Sequence, residues 1–194
     1  MSLRFLFLSL LFIQTLYAQG QHSFGLYASL GTGTILKTQL DGDASYELQK
    51  VFGTGLSWYY PIHSRLGFES GVSWTTSRLI IGSNLPPDQP PSREIYRLHW
   101  IRIPALMRLN LNSVFYASAG LLVLFDLSPR SAVQDQTGMG AALGMGAEIP
   151  IAPHFRLQIQ PYVNFNGLLL SRKEGHFPER AADAGIRMGI RFVR

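Results

Sequence analysis

The chain has no cysteine, only three lysines (Lys37, Lys50 and Lys173), and a charged fraction of 15%. The missing cysteine excludes a disulfide framework, a thiol nucleophile, a thiolate zinc site and a lipid-modified N-terminal cysteine. The charge is scarce beside the roughly one quarter usual in soluble proteins. In the body of the chain there is no run of about 18 apolar residues, which argues against a helical membrane span. No amphipathic helical pattern competes after Ala18. With 194 residues, one domain with a full core fits and two do not.

The first segment reads as an address. Arg4 gives a positive start, Phe5 to Ile13 a short apolar stretch and Ala18 a cleavage position, the three parts of a secretory signal. The expected organisation is a signal peptide over residues 1–18 and one exported domain over 19–194, with the net charge falling from +5 to +4 once Arg4 is removed.

After Ala18, apolar and polar residues alternate with period two, the mark of half-buried strands. Candidate strands lie near Gln21–Leu36, Tyr46–Tyr60, Leu66–Ile81, Tyr96–Leu111, Val114–Leu127, Thr137–Pro150, Phe155–Leu170 and Asp183–Arg194. Their connections alternate in length. Lys37–Ser45, Gly82–Ile95, Ser128–Gln136 and Ser171–Ala182 are long, while Pro61–Arg65, Asn112-Ser113 and Ile151–His154 are short. A meander whose two ends meet different surroundings has this rhythm, and outer-membrane barrels keep their short turns on the periplasmic side.

Residue types on the two faces decide which one meets lipid. Phe24, Phe52, Phe68, Phe115, Phe125, Phe155, Phe165 and Phe192 all fall on the apolar face, while fourteen of the 19 glycines fall on the other. A water-facing sheet would carry Lys, Glu and Thr there, because glycine weakens a strand and packs nothing. Glycine suits a face curled into a narrow interior, such as that of an eight-stranded barrel. Parity sends Glu69, Glu148, Arg102, Arg108, Arg156, Arg187 and Arg191 into that interior, with Gln158, Gln160, Tyr162 and Asn164. Buried charges need partners, so an internal network of ion pairs is expected. Phe115 and Phe125, like Phe155 and Phe165, stand ten residues apart. That spacing rises about 25 Å in a tilted strand, the height of the apolar band between aromatic girdles. The fold class is therefore all-β: an eight-stranded antiparallel up-and-down transmembrane β-barrel, a monomer in outer-membrane lipid. Pro104 and Pro161 fall inside strands, where bulges are expected, and Leu122 and Leu124 fall inside as an apolar patch or a register shift.

The signal, the eight segments and the closing strand Ala184–Phe192 resemble small outer-membrane β-barrel proteins. The run Leu98-His99-Trp100-Ile101-Arg102-Ile103-Pro104-Ala105-Leu106 resembles the aliphatic–Pro–aliphatic fourth strand of PorT-like barrels. The chain departs from many barrels by ending in Val193-Arg194 rather than an aromatic residue. The resemblance implies an outer-membrane location and admits secretion-associated roles among others.

Chemistry is sparse. Gly31-Thr32-Gly33 and Gly138-Met139-Gly140 open no helix, so they are not phosphate loops. His22, His63, His99, His154 and His176 lack metal-ligand spacing, and the arginines form no nucleic-acid stripe. No catalytic residue, cofactor, metal or nucleic acid is expected. Lys50, Arg78 and Arg97 interrupt the apolar face toward the long-loop end and are candidate contacts for lipopolysaccharide phosphates. The expected role is structural or interactive, through the long loops toward a protein partner. Two rivals are a soluble periplasmic lipocalin-like carrier with its apolar face inside, and a lipid A-modifying enzyme built around His99.

Overall fold

The computed structural model describes residues 22–36, 45–82, 93–128, 136–170 and 180–194. Eight strands follow one another: β1 (Ser23–Leu36), β2 (Ser45–Pro61), β3 (Leu66–Gly82), β4 (Arg93–Asn110), β5 (Phe115–Asp126), β6 (Gly138–Ala152), β7 (Phe155–Leu170) and β8 (Arg180–Val193). Each pairs antiparallel with its chain neighbours, and β1 pairs with β8, so the sheet closes on itself. Closure removes every free edge, and with it the row of unpaired N–H and C=O groups that lipid cannot satisfy.

Alternation in sequence becomes alternation across the wall. In β1, Ser23, Tyr27 and Ser29 are buried while Phe24, Leu26 and Leu30 are 57%, 64% and 66% exposed. The same holds around the barrel, where Leu56, Leu121, Leu143, Met145, Met188 and Ile190 all face outward. A belt this apolar is far beyond what a soluble monomer shows to water. The lipocalin-like carrier, which needs the apolar face inside, is overturned by this arrangement. Aromatic residues line up by register at the short-turn end, where Phe155 is opposite Phe192, Phe192 opposite Phe24, and Phe24 opposite Trp58.

The short turns are closed by local hydrogen bonds. Ile62 N and His63 N both donate to Leu66 O, at 2.9 and 2.8 Å. Asn112 Oδ1 accepts from Val114 N at 2.8 Å and Phe115 N at 2.7 Å, a side-chain turn that joins β4 to β5. The expected signal peptide and most of the four long connections lie outside the described residues.

The prolines behave differently from expectation. Pro104 lies opposite Leu122 in an unshifted β4–β5 register, and Pro161 lies opposite Ile186 in an unshifted β7–β8 register. No bulge forms at either. On the other side of each strand the pairing merely skips two residues and resumes in step, from Ser70↔Ala105 to Ser73↔Arg102 and from Gly144↔Tyr162 to Ala147↔Ile159. The missing N–H thus interrupts one ladder locally, and the intact ladder on the other side of the strand holds the register.

Bulges occur elsewhere. In β2 the register shifts on both sides around Lys50, whose φ is 51°. An unbroken alternation would send Leu48 outward with Phe52, but the inserted residue turns it inward, where it is fully buried. In β7 the register with β6 shifts beside Gly167, at a φ of 63° that only glycine adopts without strain.

Interior glycines mark close approaches. A Cβ at Gly71 would run into the Leu56 carbonyl oxygen, and one at Gly120 into that of Ala105. At Gly146 it would stand 2.6 Å from the Tyr116 ring, which lies over this glycine.

Candidate functional site

The interior is layered from the short-turn end upward. At the bottom, four strands contribute an alternating square of charge: Glu69 (β3), Arg108 (β4), Glu148 (β6) and Arg191 (β8). Arg191 Nη2 meets Glu69 Oε2 at 2.9 Å and its Nη1 meets Glu148 Oε1 at 2.9 Å. Arg108 Nη1 meets Glu148 Oε1 at 2.7 Å and Glu69 Oε2 at 3.5 Å. All four side chains are buried. Each occupies an inward position of its strand, and the closed register brings β3, β4, β6 and β8 together across the lumen.

Neutral groups complete the square. The Arg108 guanidinium lies 3.5 Å from the Tyr116 ring centroid and 4.9 Å from that of Tyr59, and its Nε donates to Asn110 Oδ1 at 3.0 Å. Asn110 Nδ2 in turn donates to Tyr59 OH at 3.0 Å, and Gln158 Nε2 to Tyr116 OH at 2.5 Å. Stacking on a ring and donation to an amide take up guanidinium surface that would otherwise face nothing.

The other predicted members stand apart. Arg156 is at the short-turn mouth, its side chain 42% exposed, with Glu148 Oε2 at 3.8 Å. Arg187 sits one layer above the square, over the Tyr27 ring at 4.3 Å, bonded to Gln160 Oε1 at 3.2 Å and 3.9 Å from Glu69. Arg102 does not reach the two glutamates. It forms a two-point pair with Asp183, Nη2 to Oδ1 at 2.5 Å and Nη1 to Oδ2 at 3.2 Å. Asn164 Nδ2 and Asn166 Nδ2 donate to the same carboxylate at 3.0 and 2.9 Å. Asp183 is the residue that sequence reasoning missed. Its odd number shares the parity of Arg187 and Arg191, which was the available signal, at the first position of the expected strand Asp183–Arg194.

Above this pair the interior turns apolar. Ile35, Leu48, Val51, Leu79, Leu98, Trp100, Leu124 and Ala181 pack together beneath the long-loop end, and Leu106, Leu122 and Ala142 form a smaller cluster below them. Of the two expectations for Leu122 and Leu124, the apolar patch is the one found, without any register shift in β5. Between Arg102, Arg187, Tyr27, Tyr162 and Asn164 a cavity of about 20 Å³ remains, room for a single water.

On the outer face, Lys50, Arg78 and Arg97 are exposed. Arg78 stands directly opposite Arg97, and Gln49, the neighbour of Lys50, stands opposite Arg78. The three basic residues therefore gather on adjacent strands. His99 packs its ring against Trp74 at 5.8 Å, and its Nδ1 has no hydrogen-bond partner among the described residues. No group of three or more His, Asp or Glu side chains that could hold a metal ion occurs among the described residues.

A closed wall of eight tilted strands, apolar outside and charged within, defines a small transmembrane β-barrel of the outer-membrane type. The profile of the outer membrane protein β-barrel domain matches residues 5–169, and the chain belongs to that family. No curated protein sequence matches it. Among solved structures it is similar to the outer membrane protein OprG from Pseudomonas aeruginosa, at 12% identity and a TM-score of 0.55, covering 91% of this chain and 97% of that one. It is also similar to the outer membrane protein AlkL, determined in lipid bilayers, at 10% identity and a TM-score of 0.59, covering 91% and 90%. At such identities the likeness is one of fold.

Proposed function

We infer that this outer-membrane protein is a monomeric, non-conducting and non-catalytic barrel that holds its long connections at the cell surface for a protein partner. The observation that carries this reading is the filled interior. Two levels of ion pairs lie beneath an apolar layer, and about 20 Å³ is left between Arg102 and Arg187. A hydrated solute needs a continuous polar path, whereas Trp100 and Leu124 lie across the lumen, fully buried. A secretion-associated task is one role among others that the resemblance of the run Leu98–Leu106 to PorT-like barrels admits.

Lipopolysaccharide is the lipid partner in this reading. Like charges directly opposite on one face of a sheet repel, so Arg78 opposite Arg97, with Lys50 alongside, favours an anionic bridge. Phosphate answers all three. Glu47 on β2 and Glu94 on β4 are the acidic residues nearest in sequence, three positions from Lys50 and Arg97.

Planar-bilayer recording of the purified barrel tests the filled interior. It should give no stable conductance steps, and reproducible channel openings would refute the reading. Changing Lys50, Arg78 and Arg97 together to Gln should lower co-purifying lipopolysaccharide several-fold; unchanged retention refutes the lipid contact.

A further inference from the structure

At the short-turn end the barrel opens into a polar hollow of about 560 Å³, lined among others by His63, Ser64, Asn110, Glu148, Arg156 and Arg191. Its charge does not balance. The lower network and its neighbours hold four guanidiniums, those of Arg108, Arg156, Arg187 and Arg191, against two carboxylates, Glu69 and Glu148. Glu148 is already taken by Arg108 and Arg191 at 2.7 and 2.9 Å, which leaves Arg156 at 3.8 Å as the underpaired cation facing the opening. Arg191, buried and lining the same hollow, has an Nε without a hydrogen-bond partner.

The rim has the same sign. The short connections contribute Arg65, and no Asp or Glu occurs in Pro61–Arg65, Asn112-Ser113 or Ile151–His154. The hollow thus combines excess positive charge with a forked donor half open to solvent; on its wall the Ser64 hydroxyl is 3.0 Å from His63 Nδ1 and the Asn110 amide is bonded to Tyr59 and Arg108. Guanidinium forks of this kind match the oxygen geometry of phosphate.

We propose that the short-turn hollow binds a phosphate group, with Arg156 as its principal contact. The volume exceeds one inorganic anion and admits a phosphate ester with its glycerol substituent. Two sources share that chemistry at the periplasmic surface: free phosphate, and the headgroup of a phospholipid in the adjoining leaflet.

The test uses the full chain refolded in neutral detergent micelles and titrated calorimetrically with inorganic phosphate and with glycerol phosphate. The expected result is saturable binding with one site per chain. It should survive Arg65→Gln, which removes a rim charge outside the hollow, weaken at least tenfold in Arg156→Gln, and take an intermediate value in Arg156→Lys. Arg156 is half exposed, so its variants should fold, and heat-dependent gel mobility verifies this. Equal affinity for both probes assigns the site to free phosphate. Binding of the ester alone, with stronger retention in phosphatidylglycerol than in phosphatidylcholine bicelles, assigns it to lipid. Absence of saturable binding of either probe, or equal binding by Arg156→Gln, overturns the proposal.

Discussion

Replacing Glu148 by Gln is the sharpest perturbation of the interior. The substitution keeps the size of the side chain and removes one charge from a group only 6% exposed. Arg108 at 2.7 Å and Arg191 at 2.9 Å both lose this carboxylate and must share Glu69, at 3.5 and 2.9 Å. The remaining balance is four guanidiniums against one carboxylate, where before it was four against two. Removing one partner from a buried ion pair costs about 3–5 kcal/mol, because the remaining charge is left undercompensated. Arg156→Gln removes one of the excess cations from a half-exposed position, and should shift stability by less than about 1 kcal/mol. Equilibrium urea unfolding in phosphatidylcholine vesicles, followed by tryptophan fluorescence, measures both. With a slope of about 1–3 kcal/mol per molar urea, Glu148→Gln should lower the midpoint by at least about 1 M and Arg156→Gln only slightly. Adding Arg108→Gln to Glu148→Gln should recover part of the loss, because the two side chains are in contact and their effects do not add. If Glu148→Gln stays within about 1 kcal/mol of the parent, water neutralises these arginines and the sealed interior is wrong.

Leu121, at mid-height and facing outward between Ala105 and Ala141, should cost about 2–4 kcal/mol when changed to Arg, read by the same unfolding assay. A loss under about 0.5 kcal/mol would place it out of the membrane. Gly71→Ala puts a Cβ against the Leu56 carbonyl and should destabilise by about 1–3 kcal/mol, as overpacking does; a neutral result would mean that β2 and β3 separate there more easily than their pairing implies.

Much of this fold is legible from period two alone. Phe24, Leu26 and Leu30 lie outside and Tyr27 and Ser29 inside because a pleat has only two faces, and once eight such segments share a rhythm, closure is the way to satisfy their edges. The bulge at Lys50 was not legible, since neither glycine nor proline marks it and only pairing on both sides of β2 forces it. Pro104 and Pro161 misled for the converse reason: a lone proline looks like a register break until the intact ladder on the other side of its strand is seen to hold it. For the interior, parity identifies which charged residues turn inward but not which meet. Arg102 pairs with Asp183 rather than with a glutamate because the stagger of β4 against β8 sets their heights. The apolar layer is drawn from β1, β2, β3, β4, β5 and β8, so its members are distant in sequence.

Tryptophan offers the most direct test of which side of the wall faces lipid. The chain has three, Trp58, Trp74 and Trp100. Trp74 is 49% exposed on the outer face and Trp100 is fully buried within. In variants that keep one tryptophan each, refolded into vesicles of lipids brominated along the acyl chain, Trp74 fluorescence should be strongly quenched and Trp100 fluorescence nearly unaffected. Quenching of Trp100 as strong as that of Trp74 would contradict the account.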